Sequence, residues 1–382
     1  MIQHRLITAA LVMTVNGSLA VCVQSMPVHR AARHVLPAAT APPGIRPGLY
    51  AISFATHTIG CAGGVQRIVC TTNAGHRWVQ RYRGPETIVD LELVSPQVGW
   101  AVGVHTLLRT FDGGRHWVRA GEPPQPLRSI DFVTTTQGWG IAGGTALPYY
   151  GANQVSWPFK RGTLVRTRDG GRTWATQSTA GPVDSICFGG VTDGWAARGA
   201  TVLRTRDGGH TWHTIFTPRI YHGAQWLATV HCVGTAVAWV LLSPGDSGVA
   251  SQQPYVLYRT LDGGHHWRAV AEEHYFEGAY SVARATEELG AYIGPFSVVD
   301  RRTAYVLGLC PICSVQGTVQ IAGTPDGGRT WRPAVRVPAL TSHGPYAIAF
   351  VDATHGWVSG PIRGHGAILA TADGGRTWTR QV

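Results

Sequence analysis

Lysine is nearly absent from this chain: Lys160 is the only one in 382 residues, so almost all of the net charge of +11 rests on arginine. Charge of either sign is scarce, at 14% of residues, and methionine occurs three times. Without a polybasic run the chain lacks the footprint of a protein that neutralises consecutive phosphates, and a nucleic-acid partner is not expected. Long apolar runs are also missing beyond Leu6 to Val15, which is shorter than the roughly 20 residues a membrane helix needs. Sustained helical periodicity is missing too; Glu272 to Leu289 is the one stretch with helix-friendly residues. At 44% hydrophobic residues the chain can still bury a sizeable core, and its composition is not that of a disordered protein.

Repetition is what the chain has in abundance. The phrase Thr167-Arg168-Asp169-Gly170-Gly171-Arg172-Thr173-Trp174 returns as Thr110 to Trp117, Thr205 to Trp212, Thr260 to Trp267, Thr324 to Trp331 and Thr371 to Trp378. A degenerate copy, Thr71 to Trp78, stands first, with Asn73 in place of the aspartate and Ala74 in place of the first glycine. Each copy is preceded by a short alternating phrase, such as Ser129 to Val133 or Ala347 to Phe350, and then by Gly-Trp at Gly99-Trp100, Gly138-Trp139, Gly194-Trp195 and Gly356-Trp357. That second phrase is weakened to Cys61, Trp239 and Tyr305 in the other repeats. Four short strands per repeat, joined by glycine-rich turns, predict an all-β fold over residues 48–382: a seven-bladed β-propeller of four-stranded antiparallel blades.

Within each box the aspartate is expected to accept backbone N–H bonds and the glycines to take positive φ. Asp112, Asp169, Asp207, Asp262, Asp326 and Asp373 are assigned that structural role. Trp78, Trp117, Trp174, Trp212, Trp267, Trp331 and Trp378 are expected to fill the space between blades. Many arginines also recur at equivalent positions, among them Arg109, Arg166, Arg204 and Arg259 just before the boxes. Their charge is expected to spread around a ring, suited to weak contact with an acidic protein or an anionic envelope component.

Residues 1–23 read as an export signal, with His4 and Arg5 ahead of the apolar run and Ser18-Leu19-Ala20 as a cleavage site. Leu19-Ala20-Val21-Cys22 supports an alternative in which Cys22 is lipidated, the one route by which a membrane would be involved. Residues 24–47 form a Pro/Ala-rich linker. Without Cys22 the cysteines number six: Cys61, Cys70, Cys187, Cys232, Cys310 and Cys313, an even set suited to disulfides outside the cytoplasm. Cys310-Pro311-Ile312-Cys313 could instead be redox-active or half a zinc site, but no second ligand pair completes a tetrahedron. No metal and no cofactor is expected.

Strand parity puts the boxes on one face of a propeller and the irregular insertions on the other, where repeat proteins often bind. The insertion from Gly143 to Gly162 carries Tyr149, Tyr150, Trp157, Phe159, Lys160 and Arg161, aromatics beside cations that suit a protein or sugar contact. A later insertion offers carboxylates.

Thr-x-Asp-Gly-Gly-x-Thr-Trp resembles the Asp-box, or bacterial neuraminidase repeat. With Gly99-Trp100-Ala101-Val102-Gly103, the whole unit is similar to propellers of the photosystem II stability and assembly factor family, from about Leu49 to the end. The resemblance implies a non-enzymatic, chaperone-like platform that holds a membrane-protein partner with surface arginines. Asp boxes also occur in sialidases and other glycosidases, so an exo-glycosidase acting on glycans is the second expectation. Its catalytic candidates are Asp246, Glu272 and Glu273, with Tyr275 as nucleophile. The sialidase Arg-Ile-Pro signature is not matched: Pro361-Ile362-Arg363 has those residues in the wrong order.

Overall fold

A computed structural model describes residues 48–103, 105–144, 160–219, 226–244, 255–273, 292–310, 318–340, 346–362 and 365–382. All of them fall in one unit, Gly44–Val382. The first sheet runs β1 (Leu49–Phe54), β2 (Gly60–Thr71), β3 (Val79–Leu93), β4 (Gly99–Gly103), β5 (Leu107–Thr110) and β6 (Val118–Gly121). The second holds β7 (Leu127–Phe132), β8 (Gly138–Ala142), β9 (Thr163–Thr167) and β10 (Ala175–Thr176); the third holds β11 (Ser185–Phe188), β12 (Gly194–Arg198), β13 (Thr201–Thr205) and β14 (His213–Phe216). The fourth holds β15 (Trp226–Val233), β16 (Val237–Pro244), β17 (Tyr255–Thr260) and β18 (Arg268–Glu273); the fifth holds β19 (Tyr292–Val298), β20 (Ala304–Cys310), β21 (Thr318–Thr324) and β22 (Val335–Arg336). The sixth closes with β23 (Ala347–Phe350), β24 (Gly356–Ile362), β25 (His365–Thr371) and β26 (Thr379–Arg380).

The fold is a β-propeller of antiparallel, four-stranded blades, but the expected count of seven is corrected to six sheets. The reason is β3, a 15-residue strand. Its first half pairs with β2 and Ile88 to Leu93 pairs with β4, so the first two repeats merge into one six-stranded sheet. Seven repeats therefore give six sheets. The helix-friendly stretch at Glu272 starts as the end of β18, and its remainder lies outside the described residues.

All seven eight-residue phrases fold as the same turn. In the copy from Thr167, the Gly171 N–H donates to Thr167 Oγ1 (2.9 Å), Thr173 N–H to Asp169 Oδ1 (2.9 Å) and Thr173 Oγ1 to Asp169 Oδ2 (2.6 Å). Gly170 and Gly171 sit at φ 74° and 90°, where a Cβ is costly. In the first copy Asn73 Oδ1 does the aspartate's work, accepting from Thr71 Oγ1 and Arg77 N–H at 2.9 Å each. The threonine is the buried half of the device. Thr167→Val should leave the Gly171 N–H without an acceptor and cost about 1–3 kcal/mol, read as a fall in the urea midpoint; an unchanged midpoint would contradict this account of the turn.

The Gly-Trp phrase builds the joints between repeats. Trp100, Trp139, Trp195, Trp239 and Trp357 are at most 2% exposed. Trp100 stacks on Phe132 of the next repeat with centroids 3.6 Å apart, Trp139 on Phe188 at 3.6 Å, and Tyr305 on Phe350 at 3.7 Å. The last repeat meets the first in the same way, Trp357 stacking on Phe54 at 3.5 Å. Ring closure thus reuses the joint of the interior repeats. The phrase needs glycine because the phenylalanine ring lies over it: Phe132 pairs across from Gly138, where a Cβ would come within 2.4 Å of the ring.

Across from each of four tryptophans stands an arginine: Trp100 faces Arg109, Trp139 Arg166, Trp195 Arg204 and Trp239 Arg259. These arginines are 6–8% exposed, with the guanidinium 4.8–5.6 Å from the facing ring centroid. Each donates to the carbonyl of the first turn glycine in the next repeat, as Arg166 does to Gly208 at 2.9 Å. The expectation that this charge is spread over the surface is corrected for these four; they are internal staples. In the first repeat the equivalent sequence positions are held by Cys61 and Cys70, both on β2, which form a disulfide with Cα atoms 4.1 Å apart beneath Gly114.

Candidate functional site

Inner strands of adjacent repeats do not pair with one another, so their edge N–H groups need other acceptors. Side chains supply them. Ser53 Oγ accepts from Leu93 N–H at 3.0 Å, Glu92 Oε2 from Phe132 N–H at 2.8 Å, Asp131 Oδ2 from Phe188 N–H at 2.5 Å and Ser297 Oγ from Phe350 N–H at 3.1 Å. A second row adds Asp90 Oδ2 to Ile130 N–H at 2.9 Å and Ser185 Oγ to Val230 N–H at 3.2 Å. Each pin stands just before the strand-ending residue of the inner phrase, or two positions earlier. In the fourth repeat that position is Cys187, and its bond to the next inner strand is covalent: Cys187 and Cys232 form a disulfide, Cα atoms 5.8 Å apart.

Asp90, Glu92, Asp131, Ser185 and Cys187 line a cavity of about 430 Å³ walled by β3, β7, β11 and β15. Its acidic arc is Asp90, Glu92 and Asp131. Burial pushes the Asp90 carboxyl up to about 6 against the pull of two backbone N–H donors. Burial, then the Asp90 charge, pushes Asp131 up to about 7. Glu92 is raised well above the usual range by burial and by Asp131. On the opposite side His231, edge-on to Phe296 at 4.4 Å, is brought down to about 4 by burial and stays neutral. Arg128 donates to the Val183 and Asp184 carbonyls at 2.8 Å each, and Asp184, fully buried, pairs with Arg161 Nε at 2.8 Å. No metal-ligand cluster of histidine, cysteine, aspartate or glutamate exists among the described residues.

The sites expected on the inserted face fare unevenly. Tyr149, Tyr150, Trp157, Phe159, Asp246, Tyr275 and Cys313 lie outside the described residues. Lys160 is exposed. Arg161 is an anchor, held by Asp184 and by the Trp226 carbonyl at 3.3 Å. Glu272 is 2% exposed on β18, at the opposite edge of its sheet from β15, the strand that lines the cavity. The described residues do not bring it together with Asp90, Glu92 or Asp131.

A feature of the turn-bearing face carries more information. In every repeat the first turn glycine, or Ala74, donates its N–H to a carbonyl of the loop between the first two strands. The acceptors are Thr58, Gln97, Thr136, Thr192, Ala236, Arg302 and Thr354, at 2.6–3.0 Å. The contact is backbone only, so the lattice places no demand on the side chain. Six repeats carry small or neutral residues there and before it; the sixth carries Arg301-Arg302, both exposed. Arg259, Arg301, Arg302 and Arg329 surround a notch of about 280 Å³ with Leu261, Pro325 and Asp326. Asp326 is committed to its turn by Thr324 and Thr330. Among the described residues none of Arg301, Arg302 and Arg329 forms an ion pair. Burial, and then the charges of Arg268 and Arg329, push the Arg259 guanidinium down. The doublet is visible in the sequence, but its position against a neighbouring turn emerges only once the repeats are stacked.

No protein-family model and no curated protein matches the chain. Solved structures do share its fold. YCF48 bound to D1 peptide is 15% identical and aligns over 88% of this chain and 99% of its own, with a TM-score of 0.54. YCF48 from Cyanidioschyzon merolae is 15% identical over 87% of this chain and 97% of its own, again with a TM-score of 0.54. At such identity the likeness is one of fold, and this chain is a β-propeller built on the same architecture as those YCF48 structures.

Proposed function

We propose that the protein is a non-catalytic binding platform for a protein partner, working outside the cytoplasm, and that an acidic segment of that partner docks in the notch at Arg301 and Arg302. The observation that carries this reading is the arginine doublet placed where the repeat needs only backbone, beside two further arginines and without ion-pair partners among the described residues. Guanidinium groups bind carboxylates in forked, charge-assisted pairs, which suits such a contact. The structural neighbour described as bound to a D1 peptide supports a peptide-like partner for this chain. Two disulfides agree with an oxidising location. On the same reading residues 1–23 direct export, with Cys22 lipidation as the alternative, and residues 24–47 tether the propeller.

Catalysis is the weaker reading because the carboxylates of the channel already hold backbone N–H groups and the box aspartates hold turns. The test is titration of the purified propeller with fluorescent Asp/Glu-rich peptides. Arg301→Glu/Arg302→Glu should weaken binding at least about tenfold, the effect of losing one charge-assisted pair of about 1.5–3 kcal/mol, while Arg77→Glu on a distant turn should not. Equal binding by both variants would remove the notch from the proposal. Turnover of a chromogenic glycoside panel would remove the platform reading itself.

A further inference from the structure

The two disulfides among the described residues occupy different environments. Cys61 and Cys70 are buried, at 0% and 3% exposure, and the first-repeat disulfide is roofed by Gly114 of the next turn. Cys187 and Cys232 are only half-buried, and Cys187 lines the open cavity of about 430 Å³ between the inner strands. A small thiol diffusing into that cavity reaches Cys187, one half of the second disulfide.

The joint that this disulfide spans does not depend on it alone. Ser185 Oγ holds Val230 N–H between the same two strands, and Arg204 staples the same two repeats by donating to the Gly263 and Thr235 carbonyls. Reduction therefore removes one of several links, and the sheets stay docked. Charge sets the access. Asp90, Glu92 and Asp131 line the cavity, Asp184 is neutralised by Arg161, His231 is neutral, and Arg128 is the one cation among the described residues of the wall. Above neutral pH the cavity is net negative, which repels the attacking species, since thiolates carry the reaction.

We propose that Cys187–Cys232 is a thiol-exchange site, open in the folded protein to small thiols and selective by charge for cationic over anionic ones. The thiolate attacks one cysteine sulfur, forming a mixed disulfide and releasing the other cysteine as thiolate. A second thiol then attacks the mixed disulfide, leaving two cysteine thiols and the oxidised small-molecule disulfide. Two electrons pass from the two thiols to the protein, and protons from solvent complete the balance. A cationic thiol such as an aminothiol is the class the cavity favours.

The experiment uses the full chain at pH 8 and low salt, with cysteamine, 2-mercaptoethanol or thioglycolate, each compared at equal thiolate concentration. Reaction is quenched with N-ethylmaleimide and mapped by peptide mass spectrometry. Cys187 and Cys232 should label while Cys61 and Cys70 stay protected, and cysteamine should react about tenfold faster than thioglycolate, in line with electrostatic focusing in a charged cleft. The ratio should contract towards one in about 0.5 M salt, where charges beyond a few ångströms are screened. Asp131→Asn, which keeps an oxygen for the Phe188 N–H, should narrow the ratio at low salt. Labelling of all four cysteines at one rate would overturn the proposal, as would labelling of Cys187 and Cys232 that appears only in denaturant. Equal rates for the cationic and anionic thiols at low salt would overturn the charge selectivity.

Discussion

Trp139→Ala is expected to lower the stability of the propeller by about 3–5 kcal/mol, the range for deleting a fully buried tryptophan. Three interactions are lost at once. The ring is 0% exposed and stacks on Phe188 with centroids 3.6 Å apart and planes 6° off parallel. Its Nε1–H donates to the Gly208 carbonyl at 3.1 Å, and Arg166 lies over it at 4.9 Å. Removing the ring leaves a cavity and takes one donor from a buried carbonyl. It also strips the packing surface from a guanidinium that is 8% exposed. The corresponding tryptophan at ring closure provides the control. Trp357 keeps the stack on Phe54 but faces Ala370 in place of an arginine, and its Nε1 has no hydrogen-bond partner among the described residues. Trp357→Ala should therefore fall at the lower end of the same range. Urea midpoints of the two variants, followed by tryptophan-independent far-UV circular dichroism, decide the matter. A larger loss for Trp357→Ala would show that the aromatic stack at closure, and not the arginine staple, sets the strength of a joint.

The comparison of those two joints also shows what could be read in the residues alone. The turn phrase, the inner phrase and Gly-Trp are each local, and each becomes the predicted turn or strand because its glycines, threonines and alternating apolar positions act within a few residues. The Asp169 hydrogen bonds span four residues at most. The arginines are a different case. Arg109 and Gly170 are 61 residues apart, and composition gives no hint that a charged side chain will be drawn over a tryptophan and buried. Burial becomes acceptable there because carbonyls of the next repeat accept the guanidinium hydrogens. The sheet count was likewise hidden, since nothing local in Val79 to Leu93 announces that one strand will serve two neighbours. The cysteines were partly legible. Cys187 and Cys232 hold equivalent inner positions in adjacent repeats, but whether their sulfurs meet depends on how closely two inner strands approach, and the 5.8 Å Cα separation answers that. The arginine notch needed one further step, subtraction of the repeat itself. Only after the backbone role of the loop is assigned to all seven copies does the Arg301-Arg302 doublet stand out as unexplained by folding.

Acidity should stabilise this protein over the range in which many proteins are indifferent to it. Asp90, Asp131 and Glu92 have folded-state pKa values above those of an unfolded chain, at about 6, about 7 and well above the usual range, because burial and mutual repulsion disfavour their charged forms. A group raised in this way contributes stability that is fully present below its unfolded value near 4 and is lost as pH rises through the folded value. The channel carboxylates should thus withdraw stability between about pH 4 and pH 7. Asp184, raised by burial against the pull of Arg161, acts in the same direction. His231 opposes them: its folded value of about 4 lies below the ordinary imidazole value, so its contribution is lost as pH falls through that interval. Three clustered carboxylates outweigh one imidazole, and the melting temperature should rise from pH 8 to about pH 5. Below pH 4 the sign reverses. Asp112, Asp326 and Asp373 are held near 2 by hydrogen bonds within their turns, which overcome the opposing effect of burial, and their contribution is lost as they take up protons. Those aspartates are only partly buried, so the acid limb should be shallow for each turn and appreciable only as a sum over the repeats. Melting temperatures from pH 3 to pH 8 test both limbs, and Asp131→Asn should flatten the upper one while leaving the lower one in place. A profile that rises steadily from pH 5 to pH 8 would mean that the inner carboxylates ionise without penalty, and that the channel is far better hydrated than its walls allow.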